Sequence, residues 1–191
     1  IIFQVKGRGT NFLSKLEEGD FIDVVGPLGN GIFKLNGHKN VAIIGGGIGI
    51  FPLYEFAKEA QKEANTNIYL GFRSKDFVVL EDEFKNVANN LIITTDDGTY
   101  GNSGFAINYL EKDLNEKNID AIYACGPLPM LKAVKKLAES KNIFCQISLE
   151  QRMACGVGAC MGCSVKLTTE AVNYARVCKD GPVFDSKSVE I

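Results

Sequence analysis

The sequence predicts an α/β protein centred on a parallel sheet, with small β segments at both ends. Three observations predict it. Short apolar runs alternate with helix-like stretches over residues 40–149, glycine-rich turns bracket short apolar runs over 1–39, and four of the six cysteines crowd together near the C-terminus over 150–191. Strand–helix alternation of this kind implies parallel strands covered on both faces.

In the first zone the strand-like runs are Ile1–Val5 and Phe21–Val25. They are surrounded by Lys6–Thr10, Gly19, Gly26–Gly31 and Gly37, as in the tail of a small antiparallel barrel. His38 sits in a polar Asn/Gly/Lys turn and reads as solvated. The chain opens at Ile1 rather than Met and enters a strand-like run directly, so an N-terminal portion is expected to precede it.

The second zone contains strand-like runs at Asn40–Ile44, Asn67–Phe72, Leu91–Thr95, Asp120–Ala124 and Ile143–Ser148. Helical patterns fall at about 50–63, about 79–88, about 104–114 and 128–140. The last places Leu128, Leu131, Val134, Leu137 and Ala138 on one face, with Lys132, Lys135, Lys136 and Glu139 outside it. The third zone, 150–191, is too short and too poor in apolar residues to build its own core, and a metal centre would supply the missing stabilisation.

Charge and composition narrow the function classes. The 191 residues carry a net charge of −2, with 46% hydrophobic and 23% charged residues, so no electrostatic footprint for nucleic acid or an anionic membrane is present. No apolar run approaches the roughly 20 residues of a membrane-spanning helix, and no signal peptide is visible. A cysteine cluster in such a chain reads as metal binding in a reducing cytoplasm before it reads as disulfide. A single histidine excludes a His-rich metal site and a Rieske centre.

The cluster has the spacing Cys155-x4-Cys160-x2-Cys163-x14-Cys178. Three thiolates on one tight loop and a fourth from a later strand suit a 2Fe–2S rhomb of the plant type. Gly156, Gly158, Ala159 and Gly162 let the loop wrap closely and turn backbone N–H groups toward sulfur. Structural zinc is the alternative. It usually takes two C-x2-4-C pairs, and only Cys160 and Cys163 form one. Disulfides are a third reading.

The run Val41–Ile44 leads into Gly45-Gly46-Gly47-Ile48-Gly49-Ile50-Phe51-Pro52. A buried strand, a glycine turn and a helix start make a dinucleotide pyrophosphate site, with Pro52 in the tolerant first turn. The alternative is a tight turn without ligand, because the sixth motif position is Pro and no acidic residue closes the next strand, which ends Gly71-Phe72-Arg73-Ser74. Arg73 reads as a surface cation, with a 2′-phosphate contact as the alternative. Cys125-Gly126-Pro127 closes a later strand at the sheet edge where ligands of open α/β sheets bind; Cys125 alone is more often core packing. Asp96-Asp97-Gly98 and Gly101–Gly104 read as solvated turns.

Taken together, these motifs resemble the ferredoxin-reductase superfamily. Gly47–Pro52 is similar to its G-x-G-x-x-P nicotinamide loop, Cys125-Gly126-Pro127 to its C-G-P motif, and Lys6-Gly7-Arg8-Gly9-Thr10 to its flavin pyrophosphate turn. The closer resemblance is to the electron-transfer subunit of NAD-linked (class 1B) dihydroorotate dehydrogenase. Glu150–Cys163 is very similar to that family's cluster loop, and Arg176–Phe184 to the segment carrying its last ligand.

The resemblance implies three parts: a partial FAD-binding barrel over 1–39, an NAD-binding α/β domain over 40–149 and a 2Fe–2S domain over 150–191. It implies that Gly9 and Thr10 hold the FAD pyrophosphate, that Ile2, Phe3 and Gln4 border the flavin, and that Gly45, Gly46, Gly47 and Gly49 face the nicotinamide dinucleotide. Cys125 and Gly126 would lie beside the nicotinamide, and Cys155, Cys160, Cys163 and Cys178 would ligate iron. The family's Arg-x-x-Ser flavin motif is expected before residue 1. The implied partner is an FMN-containing catalytic subunit, in a cytoplasmic heterotetramer serving pyrimidine biosynthesis. Electrons from dihydroorotate would pass through the cluster and FAD to NAD, with no general acid or base on this chain. Related readings are the flavin/iron–sulfur subunit of NADH-dependent ferredoxin:NADP oxidoreductase or of a sulfide dehydrogenase. A reading from another class is a zinc-stapled nucleotide-binding regulator.

Overall fold

The computed structural model describes residues 2–168 and 173–191; Ile1, which opens the first strand-like run, lies outside them. The central element is a seven-stranded sheet. Its strands are β1 (Asn40–Gly46), β2 (Asn65–Phe72), β3 (Asn90–Thr95), β4 (Asn102–Ser103), β5 (Ala121–Cys125), β6 (Phe144–Ser148) and β9 (Val183–Asp185). Their order is β4-β3-β2-β1-β5-β6-β9, parallel throughout except that β9 runs antiparallel to β6. A second, antiparallel sheet holds β7 (Ser164–Leu167), β8 (Tyr174–Arg176) and β10 (Val189–Glu190), with β7 in the middle.

Alternation along β1 sets the two faces of the main sheet. Val41 and Ile43 point to a core shared with Ile50, Leu53, Phe84 and Tyr123, beneath α2 (Ile50–Ala60) and α3 (Glu81–Lys85). Ala42 and Ile44 point the other way, toward Leu110 of α4 (Ala106–Glu116) and Leu131 and Val134 of α5 (Leu128–Lys141). Each such fully buried Leu, Ile or Val contributes about 1.5–3 kcal/mol. On α5 the buried stripe is Leu131, Val134, Leu137 and Ala138, while Leu128 is half exposed, because the first turn of the helix overhangs the sheet's carboxyl edge. The second sheet has no core of its own: Val165, Ala175, Val177 and Val189 join the cluster under α4 and α5.

The N-terminal zone departs from the expected strands. A strand exists by pairing its N–H and C=O groups with a neighbour, and neither Phe21–Val25 nor the described part of Ile1–Val5 forms a ladder among the described residues. Phe21 is 97% exposed and Val25 72%. Where the glycine pattern predicts a turn, Arg8–Leu13 forms a short helix, α1, begun by Thr10, whose hydroxyl accepts from the backbone N–H of Lys6 and Gly7.

The end of this zone is anchored. The Asn30 and Gly31 N–H groups donate to Gly181 O, Gly31 bridges Pro182, and the Tyr123 hydroxyl donates to the Lys34 and Leu35 carbonyls. His38 is not a freely solvated side chain, as its turn predicts. Its ring is partly buried and stacks on Phe144 at 5.2 Å, because Asp120 accepts the Lys39 and Asn40 N–H groups and fixes the turn against the sheet. No helix among the described residues is long and apolar enough to cross a membrane.

Candidate functional site

Strand order reverses between β1 and β5: the chain moves outward to β2 on one side and returns to β5 on the other. Such a switch point leaves a crevice at the carboxyl ends of the strands, where ligands of open α/β sheets bind. Here the crevice is floored by Gly45 of β1 beside Cys125 of β5. The glycines divide by role. Gly45 and Gly46 are buried, and a Cβ on either would collide with packed side chains, at 2.8 Å from Ile50 Cγ2 for Gly45 and 2.8 Å from Pro127 Cδ for Gly46. Their small size serves helix packing. Gly47, with φ +53°, is exposed and turns the chain into α2. Gly49 lies so close to the facing turn that a Cβ would sit 2.6 Å from both Cys125 O and Gly126 Cα. Gly126, with φ +155°, approaches the Gly46 backbone in the same way. The two turns therefore close on each other backbone to backbone, beside the N-terminus of α2 with its outward N–H groups.

Cys125 is partly exposed at the crevice floor. Burial pushes its thiol up to about 11, against a bond with Ser148 that pulls it down, so it is neutral near pH 7 and suited to positioning rather than nucleophilic attack. Ser148, opposite Cys125 in the β5–β6 register, completes this floor. Sequence reading missed it, although its place at the end of the adjacent parallel strand was the signal. Arg73 is exposed beyond β2, its guanidinium 5.9 Å from the Phe77 ring, as a surface cation would be.

The cysteine loop is built differently. Most of residues 150–162 are exposed, and the chain is shaped by left-handed residues Gly156 (φ +72°), Gly158 (φ +80°) and Met161 (φ +60°). These turn N–H groups onto sulfur. Cys155 Sγ accepts from Ala159 N at 3.3 Å and Cys160 N at 3.4 Å, Cys160 Sγ from Gly162 N at 3.4 Å, and Cys163 Sγ from Cys178 N at 3.4 Å. The Cys160 N–H, then the Cys160 thiol, hold the Cys155 thiol down at about 6, which leaves it a thiolate near pH 7. The Cys178 N–H lowers Cys163, and the neighbouring Cys163 thiol raises Cys178. N–H···S bonds thus link the four cysteines two by two, Cys155 with Cys160 and Cys163 with Cys178. Among the described residues, no three His, Cys, Asp or Glu side chains converge as donors to a single ion.

Two residues outside the predicted set tie this loop down. Arg176 Nη1 donates to Gly158 O at 2.8 Å, and Arg176 Nε pairs with Asp180 Oδ2 at 3.1 Å. The remaining predicted residues lie elsewhere. Ile2, Phe3 and Gln4 are exposed near the start of the chain, Gly9 lies inside α1 with open space around it, and the Thr10 hydroxyl is engaged within its own turn, donating to Gly7 O.

Comparison with known proteins matches both regions. The family described as the iron-sulfur cluster binding domain of dihydroorotate dehydrogenase B matches residues 150–190, and the oxidoreductase NAD-binding domain matches residues 43–136. The dihydroorotate dehydrogenase B (NAD(+)) electron transfer subunit of Caldanaerobacter subterraneus subsp. tengcongensis is 43% identical over 190 residues, covering 99% of this chain and 74% of that protein. Its counterpart from Fusobacterium nucleatum subsp. nucleatum is 44% identical over 196 residues, covering 100% and 74%. A solved structure of NADH-dependent reduced ferredoxin-NADP oxidoreductase, described for flavin-based electron bifurcation, superposes with a TM-score of 0.86 at 35% identity over 98% of this chain and 67% of that one. With this identity over nearly its whole length, the chain belongs to the family of dihydroorotate dehydrogenase B (NAD(+)) electron transfer subunits.

Proposed function

We propose that this chain carries electrons between a dihydroorotate-oxidising partner and NAD, using a 2Fe–2S cluster and FAD. The observation that carries the reading is the linking of the four cysteines two by two through N–H···S bonds. Two thiolates per metal suit a two-iron rhomb, whereas zinc needs four donors around one centre. Cys155 and Cys160 would hold one iron, and Cys163 and Cys178 the other. The N–H groups of Ala159, Cys160, Gly162 and Cys178 donate to these sulfurs, stabilising the thiolates and tuning the cluster's potential.

Gly47 and Gly49 bring the backbone close enough for the NAD pyrophosphate to reach the N-terminus of α2. Cys125 and Gly126 would lie beside the nicotinamide, with the neutral thiol as a packing and orienting group. Gly9 and the turn ordered by Thr10 would hold the FAD pyrophosphate, and Ile2, Phe3 and Gln4 would border the flavin. When bound, the flavin supplies the step between single-electron and hydride chemistry that neither the cluster nor NAD supplies. No general acid or base is assigned to this chain. The partner is an FMN-containing catalytic subunit in a cytoplasmic heterotetramer, in pyrimidine biosynthesis.

Co-purification with that partner tests the reading. A stable complex that forms NADH only when dihydroorotate is supplied is expected. A second reading, a subunit of NADH-dependent ferredoxin-NADP oxidoreductase, is favoured by the likeness to that solved structure. Electron exchange with ferredoxin and NADP, and none with dihydroorotate, would decide for it.

A further inference from the structure

We propose that Arg176 is the positioning residue of the cluster cage, binding its two sulfur-bearing segments together and setting the charge beside them. The inference rests on the ligand assignment above and concerns a residue outside it.

Gly158 stands midway along the Cys155–Cys160 loop and is buried, although its neighbours Val157 and Ala159 are exposed. What buries it is the 176–180 turn. A Cβ at Gly158 would lie 2.6 Å from Lys179 Cδ and 2.8 Å from Lys179 Cβ, and its carbonyl takes the Arg176 Nη1 hydrogen bond at 2.8 Å. Arg176 is itself held at both ends. It is paired with Ser164 in the β7–β8 ladder, next to Cys163. Its backbone N–H donates to Asp180 Oδ2 at 2.8 Å, and its Nε reaches the same oxygen at 3.1 Å. The Asp180 N–H closes the turn on Arg176 O at 2.7 Å, and Cys178 lies inside that turn.

One guanidinium therefore spans the loop of the first sulfur pair and the turn of the second. A planar fork with several donors fits this task, and an ammonium does not. The same group places a positive charge on the turn that carries Cys178, and the Asp180 carboxylate paired with it opposes that charge. A positive charge stabilises the reduced, more negative state of a thiolate-bound centre, and a carboxylate destabilises it.

The test uses anaerobically purified holoprotein and two readouts: the rate of iron loss to a chelator, and the midpoint potential followed by EPR. Iron content of the unaltered protein tests the ligand assignment, and differences among variants test the inference. Arg176→Gln is expected to release iron about tenfold faster, the equivalent of one charge-assisted hydrogen bond, and to shift the potential negative. Arg176→Lys is expected to restore the potential but not the release rate. Asp180→Asn retains the guanidinium and unties it, so release accelerates while the potential moves positive. Opposite shifts in the Gln and Asn variants separate this role from general loosening. Should Arg176→Gln fail to fold, the Lys and Asn variants carry the test alone. An unchanged release rate, or a potential that moves the same way in all variants or in none, overturns the inference.

Discussion

The glycine crevice and the cysteine loop are both turns of small residues, yet different forces hold them. In the crevice, Gly45 and Gly46 are buried beneath Ile50, Leu53, Pro127 and Met130, and the glycines are required because side chains and backbone already fill the space. In the cysteine loop most residues are exposed, and the path is held by N–H bonds to sulfur and by the Arg176 contact. The crevice is shaped by apolar packing that is present without ligand. Cys163 and Cys178 are buried with the core under α4 and α5, whereas the stretch that carries Cys155 and Cys160 has its donors arranged with little burial behind them, and ligation supplies the rest.

The largest effect expected from this contrast is on the loop. Cys160→Ser should abolish iron retention, while the main thermal transition moves by less than about 4 °C, because exposed Cys160 contributes nothing to the sheet's core. Iron analysis and calorimetry on the same preparation check this, and a collapse of the main transition would join the two regions that the account separates.

Gly49→Ala should reverse the pattern. Its Cβ meets backbone that cannot move aside, so the crevice opens at a cost of about 1–3 kcal/mol. NADH binding, read by titration, should weaken about tenfold or more, with iron content unchanged.

Asp113 sharpens the contrast on the sheet side. Burial works to raise its pKa, but bonds from Lys117 and the buried Tyr69 hydroxyl outweigh this and hold it below the usual carboxylate value. A depressed folded pKa contributes stability above the unfolded value near ~3.9. That stability is lost as pH falls through the folded pKa. Acid should therefore destabilise the sheet below about pH 4 through this group. Asp113→Ala should cost about 1–3 kcal/mol at neutral pH by leaving the Tyr69 hydroxyl unpaired, as denaturant unfolding would show.

The smallest effect belongs to Cys125. With its thiol pushed up to about 11, the rate of NADH oxidation should show no ionisation from this group between about pH 6 and 9. Cys125→Ser should leave that profile unchanged in shape.

The same contrast governs what the sequence makes legible. β1, β2, β3, β5 and β6 are legible because they are continuous apolar runs of a sheet buried on both faces, and the helices follow from apolar spacing at Ile50, Leu53 and Ala57 or Leu131, Val134 and Ala138. The cysteine loop is legible because ligand spacing is local. Non-local pairings are not legible. Val183–Asp185 is a three-residue strand recognisable only by its partner β6, and His38 owes its burial to Phe144. The runs Ile1–Val5 and Phe21–Val25 have strand composition but no ladder among the described residues, since composition favours a strand without providing a neighbour to pair with. Arg176 belongs to a recognisable segment, but its contact with Gly158 crosses 18 residues and leaves no periodic trace.

The central claim is that the four sulfurs hold a pair of irons. Metal analysis and EPR of the anaerobic protein test it most directly. The account predicts about two irons per chain and a signal that appears on one-electron reduction and vanishes in Cys160→Ser. Zinc in place of iron, or no signal on reduction, would contradict it.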